Sequence, residues 1–254
     1  MGHRRAVGRG CRKGRVQSVP NRNVYKEVSG PFPAFRDRHE AGRKLADFVS
    51  PGPRDRSIVL ALPRGGVPVG GPLADQLGAP LDLVMVRKLP VPASPEAGFG
   101  AVAADGSRIL NERMVKYFSL SRSEIESITN RVLEEVRSRA TKYRHGDVSL
   151  DVEDMDAFLV DDGLATGYTM MAAAKMVRQL EPRSLTLAVP VSPWDSVLTV
   201  EDYFDEIHIL YVQEFPPFAV ASFYEDFHDL SDDEVREILR RGRTTLTPER
   251  RTNH

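Results

Sequence analysis

Five short apolar runs constrain this chain more than any other feature: Ser57–Leu62 (SIVLAL), Leu81–Val86 (LDLVMV), Ala157–Val160, Leu185–Val191 and Ile207–Val212. Runs of this length with little polar alternation are what strands need when both faces of a parallel sheet are covered by helices. Helical signals lie between and on either side of them. Phe35–Val49 carries Phe35, Leu45, Phe48 and Val49 among charges and stops at Ser50-Pro51-Gly52-Pro53. Val67–Leu77 ends at Gly78, a favourable C-terminal cap. Thr169–Leu180 and Trp194–Tyr203 read as helices. Ser121–Glu124 and Ser231–Glu234 are capping boxes that open helices running to about Tyr143 and Arg241. The alternation predicts an α/β fold with a mostly parallel central sheet flanked by helices, whose ligands bind at the carboxyl ends of the strands.

Charge divides the chain unevenly. Up to residue 26 there are eight Lys and Arg and no acid. Taking those eight from the 35 bases leaves 27 against 36 acids, a net charge of −9 on the rest. An acidic body behind a basic arm speaks against a dedicated nucleic-acid binder. The arm lacks apolar periodicity, so residues 1–30 read as a basic, disordered tail, 31–240 as the folded domain and 241–254 as a second disordered tail. No run approaches the roughly 18 apolar residues of a membrane span. The lone Cys11 excludes an intramolecular disulfide and a multi-thiolate zinc site. No signal-peptide core follows the first arginines, and the cytoplasm is the expected compartment.

The strongest chemical signal is Phe158-Leu-Val-Asp-Asp-Gly-Leu-Ala-Thr-Gly-Tyr-Thr169. An apolar strand runs into two acids, a small-residue loop, and a helix that opens with hydroxyls. Consecutive backbone N–H groups around Ala165–Thr169 can cradle a phosphate at the helix N-terminus. Asp161 and Asp162, just upstream, can accept from the vicinal hydroxyls of a ribose. The plainer alternative is a strand–turn–helix whose aspartates cap the turn. Leu89–Gly100, with Pro90, Pro92, Pro95, Gly98 and Gly100, reads as a long mobile loop of the kind that often serves function. Trp194 and the six histidines show no ligand or triad spacing.

The twelve-residue string resembles the phosphoribosyl-pyrophosphate (PRPP) signature of the type I phosphoribosyltransferases. Leu159-Val160-Asp161-Asp162 and Thr166-Gly167-Tyr168-Thr169 match it completely. The resemblance implies binding of PRPP with Mg²⁺ and transfer of 5-phosphoribosyl to a nitrogenous small-molecule acceptor, a nucleobase first of all, with loss of pyrophosphate. It implies that Asp161 and Asp162 hold the ribose hydroxyls and that Ala165, Thr166, Gly167, Tyr168 and Thr169 hold the 5′-phosphate. It assigns no residue directly to the metal. Pro63-Arg64-Gly65-Gly66 stands where the family has a pyrophosphate-binding turn, often with a cis peptide, Arg64 supplying charge and Gly65 close approach. Arg87-Lys88 looks like the Arg-Lys pair with which adenine-type members neutralise pyrophosphate. Leu89–Gly100 would then be the flap; Lys88, just before it, and Glu96, within it, would be the catalytic residues, Glu96 a general acid/base near the base.

One departure stands out. Members of the hypoxanthine–guanine kind place an Asp directly before the Thr-Gly, and this chain has Ala165. The acceptor site is expected in a small hood built from residues before Ser57 and from Glu214–Asp229. There a base could stack on Phe223 or Tyr224; those rings could equally be core aromatics. The chain as a whole is similar to the poorly characterised bacterial and archaeal "predicted phosphoribosyltransferase" group. A non-catalytic module that senses PRPP or nucleotides on the same fold is the alternative reading, and a homodimer is an assembly open to either. A phosphosugar hydrolase fits less well, since no nucleophile with an adjacent base is visible.

Overall fold

The structure, a computed structural model, describes residues 16–19, 23–27, 33–49, 55–92, 94–143 and 151–244. Its strands are β1 (Val16–Val19), β2 (Asn23–Glu27), β3 (Ser57–Ala61), β4 (Leu81–Leu83) and β5 (Val86–Val91). They continue with β6 (Ser94–Ala103), β7 (Arg108–Leu110), β8 (Asp156–Val160), β9 (Ser184–Pro193) and β10 (Glu206–Gln213). The helices are α1 (Arg38–Val49), α2 (Gly66–Leu77), α3 (Glu112–Tyr117), α4 (Arg122–Tyr143), α5 (Tyr168–Arg178), α6 (Trp194–Val200) and α7 (Asp232–Thr244). The main sheet runs β1-β2-β10-β9-β8-β3-β4 and is parallel except for the β1–β2 pair at one edge.

The apolar runs are unbroken because each strand serves two cores. Val59 and Ala61 of β3 and Phe158 and Val160 of β8 face a cluster built with α1, α2, α4 and α7. Ile58, Leu60, Ala157 and Leu159, their alternates along the same strands, face a cluster built with α5 and α6. All eight side chains are 5% exposed or less, so neither face tolerates a polar residue. Gly78 ends α2 in the left-handed conformation, and its N–H reaches the carbonyls of Ala74 and Asp75. Both capping boxes form: Ser121 and Glu124 exchange bonds at α4, and Ser231 and Glu234 do so at α7.

Two expectations are corrected. Leu81–Val86 does not continue as one strand into Arg87-Lys88: β4 stops at Leu83, and Val86 opens β5 in a second, antiparallel sheet, β5-β6-β7. Leu89–Gly100 is therefore the body of a hairpin, not a loop. Its glycines mark close packing rather than freedom. A Cβ at Gly98 would lie 2.6 Å from the Lys88 Cγ, and one at Gly100 would overlap the Ile109 carbonyl. Leu89, Val91 and Phe99 are fully buried and pack into the cluster that holds Ile125 and Ile128 of α4.

The second correction concerns the basic arm. Within the expected 1–30 tail, Val16–Val19 and Asn23–Glu27 form β1 and β2, and β2 extends the sheet alongside β10. Tyr25 is 4% exposed, and its ring lies 5.3 Å from that of Trp194. Tyr25 thus anchors a strand that lies between β1 and β10, although the stretch shows no helical or long alternating pattern. At the other end α7 reaches Thr244, and residues 1–15 and 245–254 lie outside the described part. Among the described residues no helix is long and apolar enough to cross a membrane.

Candidate functional site

The site assembles at the carboxyl edge of β3 and β8. Leu62 N–H donates to the Val160 carbonyl at 2.9 Å, which aligns the ends of the two strands. Beyond that point β3 turns through Pro63–Gly65, with a cis peptide between Pro63 and Arg64, into α2. β8 turns through Asp161–Gly167 into α5. The two turns touch. An ideal Cβ at Gly65 would lie 2.5 Å from the Asp162 Cγ, and one at Gly66 2.5 Å from the Val160 carbonyl oxygen. Only glycines let the first turn lie against the acids this closely.

Asp162 is held from several sides. Its Oδ2 accepts from Arg38 Nε at 2.7 Å, and its carbonyl accepts from the Tyr224 hydroxyl at 2.6 Å. Its own N–H donates to Asp161 Oδ1 at 2.8 Å. The Asp162 side chain keeps 15% of its surface, enough for a ligand hydroxyl to reach, although protein surrounds it. Burial pushes both carboxyls up: Asp161 well above the usual range, raised further by the Asp162 charge, and Asp162 less, because Arg38 pulls it back. Burial and the neighbouring Asp162 charge also push the Tyr224 hydroxyl up, so it stays a neutral donor.

The loop into α5 is tied to the neighbouring β9 and α6. Leu164 N–H donates to the Val191 carbonyl, and the Ser196 hydroxyl donates to the Ala165 carbonyl at 2.5 Å. Gly167 caps the helix at φ 81, where a Cβ would sit 2.6 Å from Val200 Cγ1. Ala165 and Thr166 are exposed, and Tyr168 and Thr169 begin the helix, whose first N–H groups have no acceptor within it.

Two of the other expected cations are engaged by the protein itself, Arg64 and Arg87. Arg64 donates to the Leu230 carbonyl and lies 4.0 Å from Asp232 Oδ1, and Asp232 also accepts from the Tyr143 hydroxyl. Burial, with Asp232, pushes that hydroxyl up to about 12. Arg87 is paired with Glu135 of α4. Lys88 is exposed on β5 across from Ala101. Glu96 falls within β6, and its side chain lies outside the described part. Phe223 and Tyr224 are corrected as stacking platforms: they are 0% and 5% exposed and pack on Phe218, Phe35 and Phe227 as core. The two expected hood segments do meet, since Ala34 and Phe35 N–H donate to the Phe223 carbonyl and Glu225 N–H to that of Phe35. Among the described residues no three His, Cys, Asp or Glu side chains gather to hold a metal ion.

Sequence reasoning missed Arg38. It stands in a run of charges (Arg36-Asp37-Arg38-His39-Glu40) that looks like a solvated helix start. Its side chain is 10% exposed, and its guanidinium lies 3.8 Å from the centre of the Phe227 ring. A charged residue three positions after an aromatic that must be buried was the available signal.

The profile of the phosphoribosyl transferase domain matches residues 37–216, which include both turns and the acid pair. The chain belongs to the phosphoribosyl transferase domain family. Two Mycobacterium tuberculosis proteins named as phosphoribosyl transferases, Rv0571c and MT0597, are each 40% identical to it over 208 residues, 82% of this chain. The chain spans 47% of their length, about half of the curated relatives it matches. The crystal structure of TT1426 from Thermus thermophilus superposes with a TM-score of 0.67 at 38% identity, covering 81% of this chain and 97% of that one. The fold class and the family expected from the motif therefore stand.

Proposed function

We propose that this phosphoribosyl transferase domain binds PRPP as its Mg²⁺ complex and transfers 5-phosphoribosyl to a nitrogenous small molecule, a nucleobase first of all, releasing pyrophosphate in the cytoplasm. The observation that carries the reading is the contact of Asp161–Asp162 with the Pro63–Gly66 turn, beside the N-terminus of α5. In this reading the Ala165–Thr169 N–H groups and the Thr166 and Thr169 hydroxyls receive the 5′-phosphate. The two carboxylates accept from the ribose hydroxyls. Gly65 lets the turn's backbone approach the pyrophosphate, and Lys88 on the hairpin supplies a cation. The acceptor nitrogen bonds to ribose C1 as the C1–oxygen bond breaks, and that electron pair leaves on pyrophosphate. The proton lost by the acceptor goes to Glu96 where the acceptor carries one. Mg²⁺ would come with the diphosphate, where its charge would stabilise the departing pyrophosphate.

A second reading, a PRPP or nucleotide sensor without turnover, draws on one observation: Arg64 and Arg87, expected on pyrophosphate, are engaged by the Leu230 carbonyl and Glu135. A screen of purines, pyrimidines and simple amines with Mg²⁺ and PRPP, reading pyrophosphate release, separates the two. Release with any acceptor supports transfer, and Lys88→Ala then lowers turnover on the order of 10²-fold more than it weakens binding. Saturable Mg·PRPP binding with no release supports the sensor. No binding by calorimetry refutes both.

A further inference from the structure

Arg38 has three separate attachments, and all three lead to the same place. Nε donates to the Asp162 carboxylate at 2.7 Å, Nη1 donates to the His228 carbonyl at 2.9 Å, and the guanidinium face covers Phe227. Phe227 packs on Tyr224, ring centres 5.1 Å apart, and the Tyr224 hydroxyl returns to the Asp162 carbonyl. The circuit is closed. The carboxylate and the backbone of Asp162 are both fixed by the Tyr224–His228 segment, once directly and once through Arg38.

We propose that Arg38 is the positioning residue of the acid pair: it aims the Asp162 carboxylate and couples it to the Tyr224–His228 segment, so that the segment must be docked for the pair to receive a ribose. The inference rests on the PRPP reading above for the identity of the ligand. Arg38 itself does not touch the sugar. The role calls for arginine, because one planar fork must serve a carboxylate, a carbonyl and a ring face together, whereas a lysine ammonium can meet one of them well. Among the described residues, the titratable and charged groups facing the carboxylates are Arg38 from α1, the Tyr224 hydroxyl and the two acids themselves. Arg38 is the cation of that set, so without it the pair retains a proton to higher pH.

The test uses Arg38→Gln and Arg38→Lys in the full chain, with two readouts. Side-chain carboxyl signals of the ligand-free protein are followed by ¹³C NMR through a pH titration, and Mg·PRPP affinity is measured by calorimetry across the same range. In Arg38→Gln the titration of the acid pair moves upward, and affinity at neutral pH falls about tenfold or more. In Arg38→Lys, which keeps the charge and loses the fork, the titration stays nearer the wild type while affinity still falls. If Arg38→Gln does not fold, Arg38→Lys decides: unchanged affinity in that variant overturns the proposal. An unmoved titration in Arg38→Gln with affinity lowered equally at every pH also overturns it, since that is what loss of packing alone would give. A wild type that binds no Mg·PRPP refutes the function proposed above, and the ligand-free titration still decides whether Arg38 governs the pair.

Discussion

Gly65→Ala sets two effects of known sign against each other. The backbone at Gly65, φ −60 and ψ −36, suits any residue, so conformational entropy alone would make alanine stabilising by about 0.4–1 kcal/mol. The new methyl, however, would fall 2.5 Å from the Asp162 Cγ, a separation real Cβ atoms do not show. The turn cannot retreat, because the adjacent Gly66 already abuts the Val160 carbonyl. The Asp162 backbone cannot yield either, with Tyr224 on its carbonyl. What remains is rotation of the carboxylate away from Arg38. A hydrogen bond to a charged group is worth roughly 1.5–3 kcal/mol. Against the entropic gain the net loss is about 1–2 kcal/mol, or a Tm lower by about 2–8 °C in a domain of this size. Thermal melts followed by circular dichroism measure it, and calorimetry with Mg·PRPP should show affinity reduced more than tenfold. Gly71→Ala is the control. Beyond its chain neighbours its Cβ would meet only Ile238 Cγ2, at an ordinary 3.4 Å. Pro72, which disfavours a Cβ on the helical residue before it, offsets the gain of about 0.5–1 kcal/mol that alanine has inside a helix, so the variant's stability should stay close to the wild type's. A Gly65→Ala protein as stable as Gly71→Ala, with PRPP affinity intact, would refute the placement of Asp162 against the turn.

Asp161→Asn should raise thermal stability at neutral pH and abolish Mg·PRPP binding. The folded-state pKa of Asp161 lies above its unfolded value of 3.8, so the gain is present above the folded pKa and vanishes as pH falls to 3.8; a gain that persists at pH 3 would sink the argument. The cap of α7 has its own pH window. Ser231 and His228 hold Glu234 down at about 2, a contribution present above its ordinary 4.5 and lost as pH falls from there. Asp226 and Glu234 raise His228 above 6.5, a contribution present below 6.5 and lost as pH rises through the folded value. Hydrogen exchange of the α7 amides, corrected for intrinsic rates, should therefore be slowest between about pH 4.5 and 6.5, and His228→Ala should flatten the alkaline limb. Protection independent of pH in the wild type would contradict it.

Much of this architecture is legible in the sequence because the physics that fixes it is local. The buried strands and both capping boxes can be read from adjacent residues, and so can Gly78. The Asp161–Thr169 string is legible for the same reason, since acids, loop and helix start lie within nine residues of one another. The hairpin is not. Pro90, Gly98 and Gly100 suggest freedom, and the opposite holds because partner atoms only strand pairing brings near, Lys88 and Ile109, leave no room for a Cβ. Phe223 and Tyr224 are open to two readings, and only contact with Phe35, nearly two hundred residues away in the chain, decides for the core. β2 is hidden by the charges around it, as its one strong signal, Tyr25, needs Trp194 to be interpretable.

Arg38 and Arg64 show why the cations of this site resist reading from sequence. Each donates to a backbone carbonyl of the same short segment, at His228 and at Leu230. Carbonyls leave no trace in residue type, so nothing in the segment's side chains announces that it anchors two arginines. The arginines differ, however, in what a ligand can do to them. Arg38 already has a carboxylate, and a diphosphate offers it no stronger class of partner. Arg64 has a neutral carbonyl and an Asp232 oxygen at the 4.0 Å limit of an ion pair, so a diphosphate beside Gly65 would offer it charge-assisted bonds roughly twice as strong. The same segment thus holds one cation that also pairs with a buried carboxylate and another whose partners are a neutral carbonyl and a distant acid. An anion arriving at the Pro63–Gly66 turn would draw Arg64 off Leu230 while leaving Asp162 aimed by Arg38.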